Sequence, residues 1–284
     1  MYGEVVATER LTPQLIRVVL GGEGLAGFQP SESSDAYVNC FFLPDAAPYG
    51  VPFDAESVRE LPRDQRPYPR RITVRAWDPV RRELTLDLAA HGDVGYAGRW
   101  ALGAQPGARL QFRGPADGYL PHPEADAYLF VGDESALPAI AVCAESVPAG
   151  RPVTIVAEVD DAAGEIALSS PGELSIQWVH RAGRADPDAL LADAVAALPR
   201  PEGVVSAFVH GEAVATRAVR RVLLRERIVD LDHLSCSPYW RRGYDDEQWR
   251  AIKGDWVREV NAETPQPVQA APTEGAPSIS NGRR

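Results

Sequence analysis

The stretch "RPYPRRITVRAWDP" gathers Arg66, Arg70, Arg71 and Arg75 onto, and just ahead of, a β-alternating run. Guanidinium groups are planar, permanently charged and able to grip phosphate or carboxylate oxygens in pairs. The cluster therefore reads either as a charged edge strand or as an anion site. A second stretch, "HGDVGYAGRWA", puts His91, Gly92, Gly95 and Ala97 in a turn that opens a helix. Free amides at such a start attract phosphate, and small side chains let it come close. Asp93 suits that position only as a cap or facing away, His91 equally suits a structural contact, and Trp100 reads as a core anchor. Two strand-to-helix turns follow: Gly132, Asp133, Glu134 and Ser135 in "YLFVGDESALPAI", and Gly211 with Glu212 in "SAFVHGEA". Strand ends of open α/β sheets bind nucleotides, and Asp133 is positioned to cap the next helix. The first turn is not G-x-G-x-x-G, so an ordinary capped helix is the competing reading. Glu212 is either a polar contact at the same edge or an acid favoured by the helix dipole. Finally, "SPYWRRGYDDEQW" offers Arg241 and Arg242, either paired with Asp245 or Asp246 or turned toward an anionic ligand.

These residues need elements to position them, and the pattern of the chain changes near residue 122. Before it, "EVVATERL", "LIRVVLGG", "AYVNCFFLP", "RRITVRAWDP", "RELTLDLAAHGD" and "GARLQFRGP" are short β-rich runs bounded by turn signals, which predicts a closed antiparallel barrel. Pro44 to Pro69 reads as a long excursion from that barrel, and "GYAGRWALGA" as its one helix. Beyond "GYLPHPEADA", strands alternate with helices, which predicts a parallel sheet with crossovers. The final "AETPQPVQAAPTEGAPSISNGRR" has no aromatic residue and abundant Pro, Ala, Ser and Glu, the composition of a disordered tail.

Composition narrows the function. A formal charge of −11 over 284 residues opposes binding to nucleic acid or to an anionic membrane, while leaving room for one local basic site. No apolar run approaches the roughly 18 residues of a membrane span, and the N-terminus lacks a signal-peptide pattern, so a soluble cytoplasmic protein is expected. Cys40, Cys143 and Cys236 are scattered and read as small apolar residues. The five histidines form no ligand-like pair, so no protein-bound metal is expected and any redox chemistry falls to an organic cofactor.

In their order and approximate spacing, "TERLTPQLIRVVLGGEGLAGF", "RRITVRAWDP", "AAHGDVGYAGRWA", "YLFVGDESALPAI", "VHGEAVATRAVRRVL" and "YWRRG" resemble the siderophore-interacting proteins. These are the FAD-dependent ferric-siderophore reductases of the ferredoxin-reductase-like superfamily. The resemblance implies a six-stranded flavin-binding barrel over residues 1–121 and an α/β domain binding NAD(P)H over 122–260, and composition leaves 261–284 as a disordered tail. The family motif Arg-x-Tyr-Thr/Ser falls on Arg70, Arg71, Ile72 and Thr73, with isoleucine in place of tyrosine. It implies that Arg70 holds a flavin phosphate and that Thr73 contacts the ring near N5. A register on "RPYPR" would restore a tyrosine, Tyr68, but would lose the hydroxyl. Arg70 and Thr73 face opposite sides of a regular strand, so a bulge or a sideways reach to the phosphate is expected.

By the same resemblance, His91, Gly92, Gly95 and Ala97 complete the FAD site. Gly132, Asp133, Glu134, Ser135, Gly211 and Glu212 meet the nicotinamide dinucleotide, and Arg241 and Arg242 receive the ferric siderophore. NADH and NADPH both remain open as donors: Glu158 and Asp160 suit a ribose hydroxyl, Arg181 and Arg184 suit a 2′-phosphate, and the family's habit tips the reading to NADPH. The implied activity is hydride transfer from nicotinamide to flavin, then electron transfer to Fe(III) in a monomeric protein. A flavin reductase with another acceptor and a flavin-free siderophore carrier are the alternatives.

Overall fold

The computed structural model describes residues 1–90 and 95–263. Its first half is a closed antiparallel barrel of β1 (Tyr2–Thr12), β2 (Leu15–Gly21), β3 (Tyr37–Phe42), β4 (Tyr68–Asp78), β5 (Glu83–Ala89) and β6 (Arg109–Ala116), in the order β1-β2-β5-β4-β3-β6. Period-2 alternation closes it. Val38, Cys40 and Phe42 of β3, Leu84, Leu86 and Leu88 of β5, and Leu110 and Phe112 of β6 all face one core. Each such side chain removed from water contributes about 1.5–3 kcal/mol. Helix α1 (Tyr96–Gly103) packs beside this core, and Trp100 meets Phe42 edge to face at 5.7 Å, the anchoring role its size suggested. Gly98 makes the fit possible, because a Cβ there would lie 2.9 Å from the Ala90 Cα.

The second half is an all-parallel sheet in the order β11-β10-β7-β8-β9. Its strands are β7 (Ala127–Asp133), β8 (Pro152–Val159), β9 (Glu173–His180), β10 (Val205–Glu212) and β11 (Leu234–Trp240). Helix α2 (Leu137–Glu145) covers one face, while α3 (Leu190–Ala196) and α4 (Ala213–Arg225) cover the other. Buried on both sides, β7 and β10 are continuously buried rather than alternating. The strand order reverses between β7 and β10, so the crevice at their carboxyl ends is the topological switch point where such sheets take ligands.

Helix α5 (Asp246–Ala262) closes the chain with Trp249, Trp256 and Val260 buried. It runs two residues past the expected start of the tail, because its apolar face continues to the last turn; the rest of that tail lies outside the described residues. The excursion between β3 and β4 is likewise shorter than expected. Tyr68 and Pro69 already belong to β4, paired with Phe42 and Phe41. No helix among the described residues is long and apolar enough to cross a membrane.

Candidate functional site

The arginines of β4 have separate partners. The Arg66 Nε donates to the Leu61 carbonyl at 2.5 Å, and Arg75 makes a bidentate pair with Glu145 at 2.6 and 2.9 Å that ties the barrel to the end of α2. Arg71 is exposed, its guanidinium 5.0 Å from the Tyr37 ring centre. Arg70 is the enclosed one, its side chain 12% exposed. Its Nε donates to Asp246 Oδ2 at 2.6 Å, and Glu247 lies 3.6 Å from its Nη1.

The expected bulge between Arg70 and Thr73 is absent. Pairing with β3 is regular from Tyr68 to Thr73, and β4 shifts register only against β5, between Val74 and Ala76. Cross-strand partners share a face, so Arg70 and Ile72 stand with Cys40 and Val38, while Arg71 and Thr73 stand with Asn39 and Tyr37 on the other side. Ile72 packs against the barrel core, as an aliphatic side chain on that face should. An aromatic surface is present nearby all the same. Tyr68 stacks on Tyr96 of α1 with ring centres 3.7 Å apart, and the Arg63 guanidinium lies over Tyr68 at 4.3 Å.

The start of α1 meets Arg70 through one carboxylate. Gly95, at φ +84°, precedes the helix, and a Cβ built on it would lie 3.8 Å from the same Asp246 Oδ2 that Arg70 holds. A carboxylate oxygen thus sits between a largely enclosed guanidinium and a helix start, a position whose chemistry suits a phosphate oxygen. Ala97, the second residue of α1, packs against the barrel core. His91 and Gly92 lie outside the described residues.

At the carboxyl edge of the sheet the acids act differently from expectation. Asp133 does not cap α2, whose N-cap is Ala136 with no side-chain bond. Its Oδ1 accepts from the Ser135 amide at 2.9 Å and hydroxyl at 2.5 Å, and its Oδ2 from the Glu212 amide at 2.7 Å and Trp240 Nε1 at 2.8 Å. Four donors to one buried carboxylate join the ends of β7, β10 and β11, even though burial pushes its pKa up. Glu212 is a true N-cap, its Oε2 accepting from the Val214 and Ala215 amides and its Oε1 from the Arg242 amide. Gly211 is required here. It sits at φ +135°, and a Cβ on it would lie 2.6 Å from Asp133 Oδ2. Gly132 is equally confined, 2.5 Å from the His210 carbonyl oxygen by the same construction. Beside it the His210 ring stacks on Phe208, and burial lowers its pKa to about 3, so it is neutral.

Glu134 forms a bidentate pair with Arg181, whose guanidinium also lies 3.6 Å from Glu158 and 3.5 Å from Asp160. Arg242 pairs with Asp188 at 3.3 Å, and the Arg241 guanidinium lies 4.7 Å from the Tyr244 ring centre. Neither takes the expected Asp245 or Asp246, because Asp245 caps α5 and Asp246 holds Arg70. Lys253 of α5 is half-buried, and burial together with Arg71 lowers its pKa. Asp246 and Lys253 were missed as neighbours of the β4 site; only their helical spacing was visible in the sequence.

A closed antiparallel barrel followed by a parallel α/β domain is the architecture of the ferredoxin-reductase-like class. The fold is shared with the ferredoxin reductase of carbazole 1,9a-dioxygenase at TM-score 0.61 and 16% identity, over 84% of this chain and 68% of that one. Residues 4–119 match the siderophore-interacting FAD-binding domain and residues 125–243 match the siderophore-interacting protein domain. Ferric vibriobactin reductase ViuB of Vibrio cholerae is 33% identical over 261 residues, 87% of this chain and 91% of ViuB. The siderophore-interacting protein SipS from Aeromonas hydrophila superposes at TM-score 0.77 with 30% identity, over 91% of this chain and 98% of SipS. The chain belongs to the siderophore-interacting protein family, and its flavin is FAD.

Proposed function

We propose that this protein is an NAD(P)H-dependent FAD reductase that reduces a ferric siderophore and releases Fe(II) in the cytoplasm, with its flavin unit over residues 1–121 and its nucleotide unit over 122–260. The observation that carries the reading is the anion position between Arg70 and the start of α1. Arg70 supplies a desolvated guanidinium for the flavin diphosphate, which would displace Asp246. Ala97 and Gly95 keep the helix start open to it, with His91 and Gly92 just ahead of them in the sequence. Thr73, with Arg71 on the outward face of β4, presents its hydroxyl to the flavin ring, while Ile72 supports the opposite face from within the barrel. Gly132, Asp133, Glu134, Ser135, Gly211 and Glu212 shape the edge that meets the nicotinamide nucleotide. Arg241 and Arg242 draw in the anionic chelate against an overall charge of −11.

FAD held by Arg70 and the start of α1 would supply the two-electron to one-electron redox chemistry that links the nicotinamide to Fe(III). Reduction releases the metal because a hard-oxygen cage built for Fe(III) holds Fe(II) far less tightly. The residues themselves move no proton at iron; they hold the cofactor.

Protein reconstituted with FAD and mixed anaerobically with NADH or NADPH is expected to lose its flavin absorbance. Adding a ferric siderophore should restore it while a colorimetric chelator traps Fe(II). Failure to retain FAD, or a reduced flavin that ferric siderophore leaves unoxidised, would overturn the reading.

A further inference from the structure

At the adenosine side of the switch point, the ends of β7, β8 and β9 bring Glu134, Glu158, Asp160 and Arg181 into one group. Glu158 lies in register with Asp133 on β7 and Val179 on β9, next to last in β8 and beside the nucleotide crevice. We infer that this corner selects the electron donor: the protein takes NADH and rejects NADPH, with Glu158 and Asp160 as the specificity residues. The inference rests on the nicotinamide-dependent reading above.

A 2′-phosphate needs a free cation, and Arg181 is not one. Its side chain is 13% exposed, both terminal nitrogens are bonded to Glu134, and Glu158 and Asp160 flank it. Turning Arg181 toward a phosphate would leave the Glu134 carboxylate, 4% exposed, without its bidentate partner, a costly change in a buried setting. Burial pushes Glu158 up to about 7, yet Glu134 and Asp160 against the single charge of Arg181 still leave an acidic surplus that repels a further anion. A ribose diol has the opposite requirement. It is uncharged and brings hydroxyl donors, and this corner holds acceptors in want of them. Glu158 Oε2 is buried and has no hydrogen-bond partner, and the Asp160 carboxylate is 46% exposed at the mouth, only 3.5 Å from Arg181 Nε. An acid at the end of the second strand of a nucleotide-binding sheet is the general means by which ribose hydroxyls are bound and 2′-phosphates refused. Arg184, exposed on the turn after β9, and Arg242, which acts on Glu158 but is paired with Asp188, are the cations through which NADPH would have to be held instead.

The test is calorimetric titration of the FAD-loaded protein with NAD⁺ and NADP⁺, and with 5′-AMP and adenosine 2′,5′-bisphosphate as adenosine-half probes. NAD⁺ and 5′-AMP should bind about tenfold or more tightly than their 2′-phosphorylated counterparts at low ionic strength. Asp160→Asn, on an exposed side chain that the fold tolerates, and Glu158→Gln should each narrow that gap by weakening NAD⁺ and strengthening NADP⁺. Equal or tighter binding of NADP⁺ by the unaltered protein would overturn the inference while leaving the reductase reading intact. Binding of neither dinucleotide would sink both, and a gap unmoved by Asp160→Asn and Glu158→Gln would remove these residues from the role.

Discussion

Arg70 and Gly211 are single residues on which the proposed chemistry turns, for different reasons. Arg70 is a nearly enclosed guanidinium whose partner is a carboxylate from the far end of the chain. Charge-assisted hydrogen bonds of this kind are worth about 1.5–3 kcal/mol, so Arg70→Ala should weaken FAD binding by roughly 10–100-fold in a flavin-fluorescence titration. Asp246→Asn, which removes the competing carboxylate, should strengthen it. An unchanged Arg70→Ala affinity would remove this residue from the phosphate site. At Gly211 the constraint is internal: φ +135° and a 2.6 Å approach to Asp133 Oδ2 leave no space for a methyl group. Gly211→Ala should lower stability by about 1–3 kcal/mol in chemical denaturation, and a wild-type midpoint would show that the strand end relaxes freely. Both residues were visible as chemistry in the sequence, but their neighbours were not. The acids after "YWRRG" looked like partners for the nearest arginines, whereas α5 carries Asp246 to an arginine 176 positions earlier.

Helix α5 is the element that makes that contact, and its first turn is fixed by a capping box. Asp245 Oδ1 accepts from the Gln248 amide at 2.8 Å, and Gln248 Oε1 accepts from the Asp245 amide at 3.0 Å. The box orients Asp246 and Glu247 toward Arg70 and Arg63, and further along α5 Lys253 comes near Arg71. Losing an N-cap of this kind costs about 1 kcal/mol. Asp245→Ala should therefore lower the melting temperature measurably and Asp245→Ser should largely restore it; equal melting of all three would mean that packing of Trp249 and Trp256 alone holds the helix.

Across the whole molecule, the two halves meet through Asp35, on the barrel side, and Tyr239 of β11. Asp35 is 8% exposed, and burial raises its pKa from 3.8 to about 6, opposed by the hydrogen bond that the Tyr239 hydroxyl donates. The folded protein then holds this proton more tightly than the unfolded chain. Stability from this group is full below pH 3.8 and is lost as pH rises to about 6. Asp35→Asn removes that loss and keeps an acceptor for Tyr239. It should stabilise the protein by about 3 kcal/mol above the folded pKa, with the gain fading in more acid solution. Denaturation midpoints across that range check the prediction, and a pH-independent difference would show that Asp35 titrates normally.

Local pattern was sufficient for the architecture. Alternating apolar residues from β1 to β6 close a barrel because side-chain period and strand geometry coincide, and strand–helix alternation from β7 onward forces parallel crossovers. The glycine turns and the "RRIT" run were recognisable for the same reason, since backbone freedom and charge belong to the residue itself. Which charge answers which was decided by folding. Asp133 joins three strand ends instead of capping α2, Arg181 is enclosed by carboxylates from two other strands or turns, and Arg70 meets the last helix. Coulombic and hydrogen-bond energies depend on distance and burial in space, and separation along a chain encodes neither.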